Sequence, residues 1–453
     1  MTGLADLAHL VEHERVRAGV PGCAVVVVRD GEVLLCKGFG HRDAAASAPV
    51  TTRTLFPIGS ATKTFTASLV ARLAVEGRLD LDAPMRDTWP EVGMLDPNAA
   101  AALSLRDCLA HRSGLPRHDL LWLGTGGRVD RDDLVRALSH LPASAAFRST
   151  YQYNNVLYIV AGHLVARSLG GSYEEVLEHD VLSPLRLERT TFSSAQALGD
   201  ADRALPYDGD GRELAFVPLD LAGPAGGLIS CADDLALWLL ALTAPGPALD
   251  VMRTPCIARP TPDPRGPFSD TAYGLGLMLE SYRGQVVSHH GGNIDGYSAQ
   301  VLTREDGTGV AVLTNLHATA FRDSLPYQVL DLLDGVAPPA PDHASFFADR
   351  LGRTLAPLNE RRATHAEGVP AQGLVGRYRH PGYGEVAVTA TDAGLRWSYQ
   401  GVLQGDLDAR QDGSVEAHYQ FFGVELAATG TATPTELRLQ LEPAVDPLVF
   451  RRC

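Results

Sequence analysis

The chain has 453 residues, 45% of them hydrophobic and 21% charged, which are the proportions of an ordinary globular protein and not of a disordered or fibrous one. Its 39 basic and 54 acidic side chains leave a formal charge of −15, which argues against a general binder of nucleic acid or anionic membrane, since such partners need a cationic field. At roughly 100–200 residues per domain the length fits two or three domains. Lysine occurs only at Lys37 and Lys63, every other basic residue being arginine. A compositional bias toward arginine covers the overall count. It does not explain a lysine kept inside a motif, where arginine stays protonated and only an amine can be made neutral by burial and positive neighbours.

The first 14 residues carry acidic side chains and no basic stretch ahead of an apolar run, so they do not read as a secretory signal. No run approaches the ~18 apolar residues of a transmembrane helix. The expectation is a cytoplasmic protein with no membrane partner. Six cysteines (Cys23, Cys36, Cys108, Cys231, Cys256 and Cys453) are scattered without a C-x-x-C pair, the pattern of reduced thiols.

Leu4, Leu7, Leu10 and Val11 fall on one face and predict a helix over residues 4–17. Apolar runs at 23–28 and 33–36 flank Asp30-Gly31, a hairpin signal. A long middle has helical periodicity, with Phe65, Leu69 and Leu73 on one stripe and Leu134, Leu138 and Leu141 on another. Strand-like runs return at 284–288, 298–302 and 309–314. Strands at both ends with helices between predict an α+β layer whose ends meet in one antiparallel sheet. Residues 336–342 form a proline-rich break, with a helix expected near 344–364. From about residue 370, short alternating runs at 385–389, 394–398, 415–419 and 436–441, parted by Asp-Gly or glycine-rich turns, predict a small antiparallel barrel or sandwich. The resulting organisation is a catalytic domain over 1–338, a linker over 339–369 and an all-β domain over 370–453.

Three stretches carry chemistry. Ser60-Ala61-Thr62-Lys63 opens a helix, so Ser60 sits among free backbone N–H groups and Lys63 lies one turn on, within reach of the serine hydroxyl. A neutral lysine there can take the serine proton; a capping serine followed by an exposed lysine is the alternative. Tyr153 and Asn155 precede an apolar helical run. A tyrosine beside a cationic lysine ionises more readily and can shuttle protons, and an asparagine can hold a substrate amide, although packing is the commoner role of such tyrosines. Ser288-His289-His290-Gly291-Gly292-Asn293, with Gly296-Tyr297 after it, ends a strand whose glycines allow close backbone approach. No carboxylate or cysteine triplet makes the two histidines a metal site, and no metal or cofactor is expected.

In order, S-x-x-K, Y-x-N and H-x-G resemble the motifs of the penicillin-recognising serine hydrolases: class C β-lactamases, D,D-carboxypeptidases and related esterases and D-aminopeptidases. The stretches at 104–119 and 222–230 and the G-x-x-x-G-Y spacing at Gly292–Tyr297 are similar to that family too, over about residues 10–335. The resemblance implies a β-lactamase/transpeptidase-like domain, an antiparallel sheet with a helical subdomain. It makes Ser60 the acylated nucleophile, Lys63 its base, Tyr153 the proton relay to the leaving group and Asn155 the holder of the substrate amide. His290 falls where many relatives have lysine, with His289 the competing register. The oxyanion would lie between the N–H groups of Ser60 and Asn293, and Gly291, Gly292 and Asn293 would line the substrate. The C-terminal region resembles the lipocalin-like barrel of some members, at 374–378 and 447–452. Arg451 or Arg452 could then meet a substrate carboxylate, a solvated terminal pair being the alternative. His111, Arg112 and His118 read as structural loop residues.

The expected function is that of a branch the chain resembles, the penicillin-binding-protein-type thioesterases, which take a nonribosomal peptidyl thioester onto serine and release it as a head-to-tail macrolactam, often at a D-configured C-terminal residue. A peptide substrate, presented on a peptidyl carrier protein, follows from that resemblance. A D-stereospecific peptidase, amidase or esterase using the same acyl-enzyme is the hydrolytic alternative. A non-catalytic peptide-binding protein is the third, and Ser60, Lys63 and Tyr153 weigh against it.

Overall fold

A computed structural model describes residues 4–122, 129–260, 267–336, 342–360, 372–392, 394–410, 412–421 and 424–453. The chain forms two compact units, Met1–Leu81 with Ala161–Thr354 and Asp82–Val160 with Leu355–Cys453.

The first unit is built on a nine-stranded antiparallel sheet. Its strands run Ala48–Pro49, Glu32–Asp43, Gly22–Arg29, Gly309–Thr314, Tyr297–Arg304, Gln285–Ile294, Met278–Tyr282, Phe268–Tyr273 and Ile257–Ala258. The two ends of the expected catalytic segment therefore meet, Gly22–Arg29 pairing with Gly309–Thr314 from Cys23↔Thr314 to Val28↔Gly309. Within Gly22–Arg29 the run from Cys23 to Val28 is unbroken apolar and buried because both faces of the strand are covered. Cys23, Val25 and Val27 pack with Leu7 and Val11 of the helix Leu4–Arg17 and with Leu325 and Val329 of Phe321–Leu333. The helix Ala232–Thr243 covers the other face. Its Trp238 stacks on Phe65 with ring centroids 3.9 Å apart, which ties the sheet to the helix Thr62–Val75.

The second unit contains a closed eight-stranded antiparallel barrel, running from Gly376–His380 to Leu448–Arg452, whose first and last strands pair at Tyr378↔Arg452. Alternate residues, among them Tyr378, Val388, Trp397, Tyr399, Leu407, Ala417 and Phe450, are buried, as the alternating pattern requires. Of the expected proline-rich break, residues 337–341 lie outside the described residues, as does the linker stretch 361–371; the helix between them is His343–Glu360.

In the same unit a charged knot fixes the loop after the short helix Leu105–Leu109. Asp107, with no exposed side-chain surface, closes a capping box with Ser104 and takes Arg112 at 2.6 Å and Arg148 at 2.7 Å. Removing one partner of a buried ion pair strands the others, at a cost of about 3–5 kcal/mol. Asp107→Ala should accordingly lower the urea midpoint of unfolding without changing the denaturant slope; a midpoint equal to wild type would contradict the assignment.

Candidate functional site

In the first unit, Phe56–Pro57 pairs with Ile229–Ser230 and delivers the chain to a tight turn, Gly59–Ala61, from which the helix Thr62–Val75 continues. Gly59 has φ +52°, a conformation glycine adopts without a Cβ clash. Ser60 is the second residue of that turn. Lys63, fully buried, points its Nζ to within 3.2 Å of Ser60 Oγ and donates to the Ala225 carbonyl at 2.6 Å. The S-x-x-K spacing has thus produced a serine–amine pair, and the capping-serine, exposed-lysine alternative falls. Thr62 Oγ1 accepts from Leu228 N and Thr66 Oγ1 donates to Pro224 O, so the 222–230 stretch is laid against the same helix.

The strand Gln285–Ile294 brings up the third motif. Consecutive strand residues face opposite ways, and the two histidines separate accordingly. His289 accepts from Gln300 Nε2 through Nδ1 at 3.0 Å and faces Glu280 through Nε2 at 3.2 Å. His290 faces the nucleophile helix. Its Nδ1 lies 2.8 Å from the Gly291 carbonyl, which can only accept, so the hydrogen is on Nδ1 and Nε2 receives the Tyr273 hydroxyl at 3.0 Å. Burial first, then the positive charge of Lys63 in its protonated form, holds the imidazole well below its ordinary range, outweighing the Gly291 hydrogen bond. His290 is therefore a neutral ring with fixed hydrogen-bond directions.

Gly292 is pressed against the nucleophile turn. A Cβ there would lie 1.9 Å from Ile58 O and 2.8 Å from Ser60 N, and one on Gly59 would lie 3.0 Å from Asn293 N. The backbones bearing the two expected oxyanion donors are thus neighbours. The Asn293 side chain accepts from Ser298 Oγ at 2.9 Å.

The second unit holds the Y-x-N segment. Asn154 caps the helix Asn155–Ser168, its Oδ1 accepting from Leu157 N, while its own N–H reaches His111 Nδ1. Asn155 donates to Asp119 Oδ1 at 3.0 Å, and Asp119 also takes Trp122 Nε1 and Arg117. Arg117 lies 5.1 Å from the centre of the Tyr153 ring. Burial opposes the Arg117 charge, but Asp119 and Tyr153 outweigh it and raise its pKa. His111 packs edge and face against Tyr151, Tyr153 and Tyr158, which gives it the structural role expected of it. Arg451 is exposed on the last barrel strand, opposite Arg379 and Glu436, whereas Arg452 donates to the carbonyls of Gly373, Val375 and Pro434.

Sequence reasoning missed Tyr273 and Glu280, which lie in no motif and are brought in by strand pairing, and it assigned no role to Asp119, the last residue of the 104–119 stretch. Glu280 carries a testable consequence. Burial raises its carboxyl, but His289, Arg350 and Arg259 overcome that and hold it at about 2, against an ordinary value near 4.5. A depressed carboxyl contributes stability that is full above its unfolded pKa and is lost as pH falls toward the folded one. Wild-type stability should therefore fall between about pH 4.5 and 2 more steeply than that of Glu280→Gln, measured by urea unfolding at each pH; parallel profiles would contradict the ion cluster. Gly292→Ala should lose at least 100-fold in Ser60 labelling by a fluorophosphonate, since its Cβ cannot fit against Ile58 O.

Among known proteins, the Beta-lactamase family model matches residues 7–334. The chain is 28% identical to unguisins hydrolase ungD of Aspergillus violaceofuscus, across 94% of this chain and 84% of that protein. It is 24% identical to protein flp of Staphylococcus aureus, across 68% and 62% of the two. In fold it is similar to the octameric penicillin-binding protein homologue from Pyrococcus abyssi, with a TM-score of 0.65 at 23% identity, covering 99% of this chain and all of that one. The class C β-lactamase from Rhodobacter sphaeroides aligns with a TM-score of 0.58 at 22% identity, over 73% of this chain and 99% of that one. With the family model covering the sheet, the nucleophile helix and the third-motif strand alike, this chain belongs to the Beta-lactamase family of serine hydrolases.

Proposed function

We propose that the chain acylates Ser60 with a peptidyl donor and releases the acyl group to water, as a peptide-processing hydrolase. The observation that carries the reading is the buried Lys63 amine 3.2 Å from Ser60 Oγ. In acylation, Ser60 Oγ bonds to the substrate carbonyl carbon and its proton passes to Lys63. The bond to the leaving amine or thiolate then breaks, and the leaving group takes up the proton that Lys63 received. Oxygen charge that develops on the carbonyl is met by the N–H groups of Ser60 and Asn293, one such donor being typically worth about 3–4 kcal/mol. In deacylation a water oxygen bonds to the same carbon as its proton passes to Lys63, the bond from that carbon to Ser60 Oγ breaks, and Oγ takes the proton back from Lys63. His290, with its Nδ1–H on the Gly291 carbonyl and its Nε2 receiving the Tyr273 hydroxyl, is a fixed, neutral part of the third-motif strand.

The hydrolytic branch is favoured by the relative named a hydrolase, similar along nearly all of this chain. Head-to-tail macrolactamisation of a nonribosomal peptidyl thioester is the second reading. It uses the same acyl-enzyme, with the peptide's own amine replacing water, and a peptidyl carrier protein as the donor's partner.

A linear peptide N-acetylcysteamine thioester ending in a D-residue tests both. Intact-mass analysis should find an adduct on wild type that Ser60→Ala cannot form, and an adduct on that variant would overturn the assignment. Linear acid as product supports hydrolysis, while a product lighter by one water supports cyclisation. Lys63→Arg should slow acylation by about 10²–10⁴-fold, the usual range of a positioned base, because arginine does not become neutral; a wild-type rate would overturn the base role.

A further inference from the structure

The H-G-G-N motif has two glycines, and they face different neighbours. Gly292 admits the nucleophile turn. Gly291 admits an arginine: a Cβ there would stand 2.6 Å from Arg322 Nη1 and 2.6 Å from Gln300 Oε1. Arg322 lies in the first turn of the helix Phe321–Leu333, with its side chain only 12% exposed, and it donates to Gly292 O at 2.7 Å and to Ala299 O at 3.0 Å. Gly292 and Ala299 are opposite one another in the strand pair, so the guanidinium clamps both strands at the level of the nucleophile.

The Gly292 carbonyl and the Asn293 N–H belong to one planar trans peptide, and in such a peptide they point in opposite directions. A cation hydrogen-bonded to the carbonyl draws electron density toward oxygen and makes the N–H at the other end a stronger donor, the cooperative effect of chained hydrogen bonds at low dielectric. We propose that Arg322 is a positioning residue of the oxyanion hole, which both fixes the Gly292–Asn293 peptide against the Ser60 turn and polarises it, so that the Asn293 N–H binds developing negative charge more strongly than an unassisted amide. This rests on Ser60 being the nucleophile and Asn293 N–H an oxyanion donor. It assigns Arg322 to the chemical step although it stands behind the strand and touches no substrate.

Charge on the carbonyl oxygen is greatest in the tetrahedral state, so the effect of Arg322 belongs in the rate and not in ground-state binding. Arg322→Met, Arg322→Gln and Arg322→Lys should be compared with wild type, using p-nitrophenyl butyrate for acylation and phenylboronic acid as a tetrahedral adduct on Ser60. For Arg322→Met the expected result is kcat lowered about 10- to 100-fold with KM within about twofold. The phenylboronic acid Kd should weaken by a comparable factor and the thermal midpoint should hold. Arg322→Lys, which keeps a charged donor, should recover part of both losses. A Met variant that acylates and binds the boronate as wild type does would overturn the proposal, as would equal losses in KM and kcat. Should the Met variant not fold, Arg322→Gln, which keeps a donor without charge, decides by the same criteria. Failure of wild type to form any Ser60-dependent adduct would instead overturn the nucleophile assignment itself.

Discussion

The approach of Gly292 to the backbone of Ile58–Ser60 is the contact on which the site is built. No side chain intervenes, and a single methyl group would overlap the Ile58 carbonyl. Because the contact is backbone to backbone, it transmits the register of the sheet directly to Ser60. Gly292 is held opposite Ala299, Ala299 is held opposite Leu313, and Leu313 opposite Ala24. The position of Ser60 relative to Asn293 is thus set by three strand pairings that reach back to the apolar strand Gly22–Arg29. That strand is buried on both faces, where a slip of one residue would reverse every side chain. The chemistry inherits the precision of the sheet core.

Charge is distributed on the two sides of the third-motif strand in opposite ways. On the side of Ser60 are a buried amine and a neutral imidazole, with Lys63 contacting Ala225 O and Ser60 Oγ. On the reverse face Glu280 meets His289 and Arg259, and the glutamate stays ionised although burial opposes it. Buried ion clusters are weak contributors to net stability, because desolvation cancels much of the attraction. Here the cluster supplies the buried His289 and Glu280 with charged and polar partners on the face that the strand pleat assigns to them.

The parts of this arrangement that sequence discloses are those made by neighbours in the chain. Ser60 and Lys63 meet because three residues make nearly one helical turn, and the Asp30-Gly31 turn, the barrel alternation and the helix over 4–17 are equally local. The strand's two-residue period sets His289 toward Gln300 and Glu280 and His290 toward Tyr273. What could not be read is what sheet register and loop folding bring from a distance. Tyr273 reaches His290 from two strands away, and Arg322 arrives on a helix that begins seven residues beyond the last strand of the motif hairpin's partner. Both glycines of the motif were visible as sites of close approach, but not which neighbour each one admits. The association of residues 82–160 with the barrel, likewise, is carried by contacts between positions more than 250 residues apart.

Those contacts bear on the Y-x-N segment. His118 adopts a left-handed conformation, φ +48°, which a non-glycine residue holds only when its surroundings fix it. Its N–H donates to Glu442 at 2.8 Å, its Nδ1 meets the Tyr383 hydroxyl at 2.7 Å and its Nε2 meets the Pro142 carbonyl at 3.0 Å; burial pushes the ring to about 4, so it stays neutral. Two of these three partners belong to the barrel. On either side of His118 stand Arg117, against the Tyr153 ring, and Asp119, which holds Asn155. The barrel therefore completes the hydrogen bonding of the one residue whose strained backbone sets where Arg117 and Asp119 point. Without it, a buried N–H and a buried imidazole nitrogen would lose their partners, at a cost of about 1–3 kcal/mol each, and the segment carrying Tyr153 and Asn155 would lose its anchor. The barrel thus lies in the same compact unit as the second motif and completes the hydrogen bonding of the loop beside it.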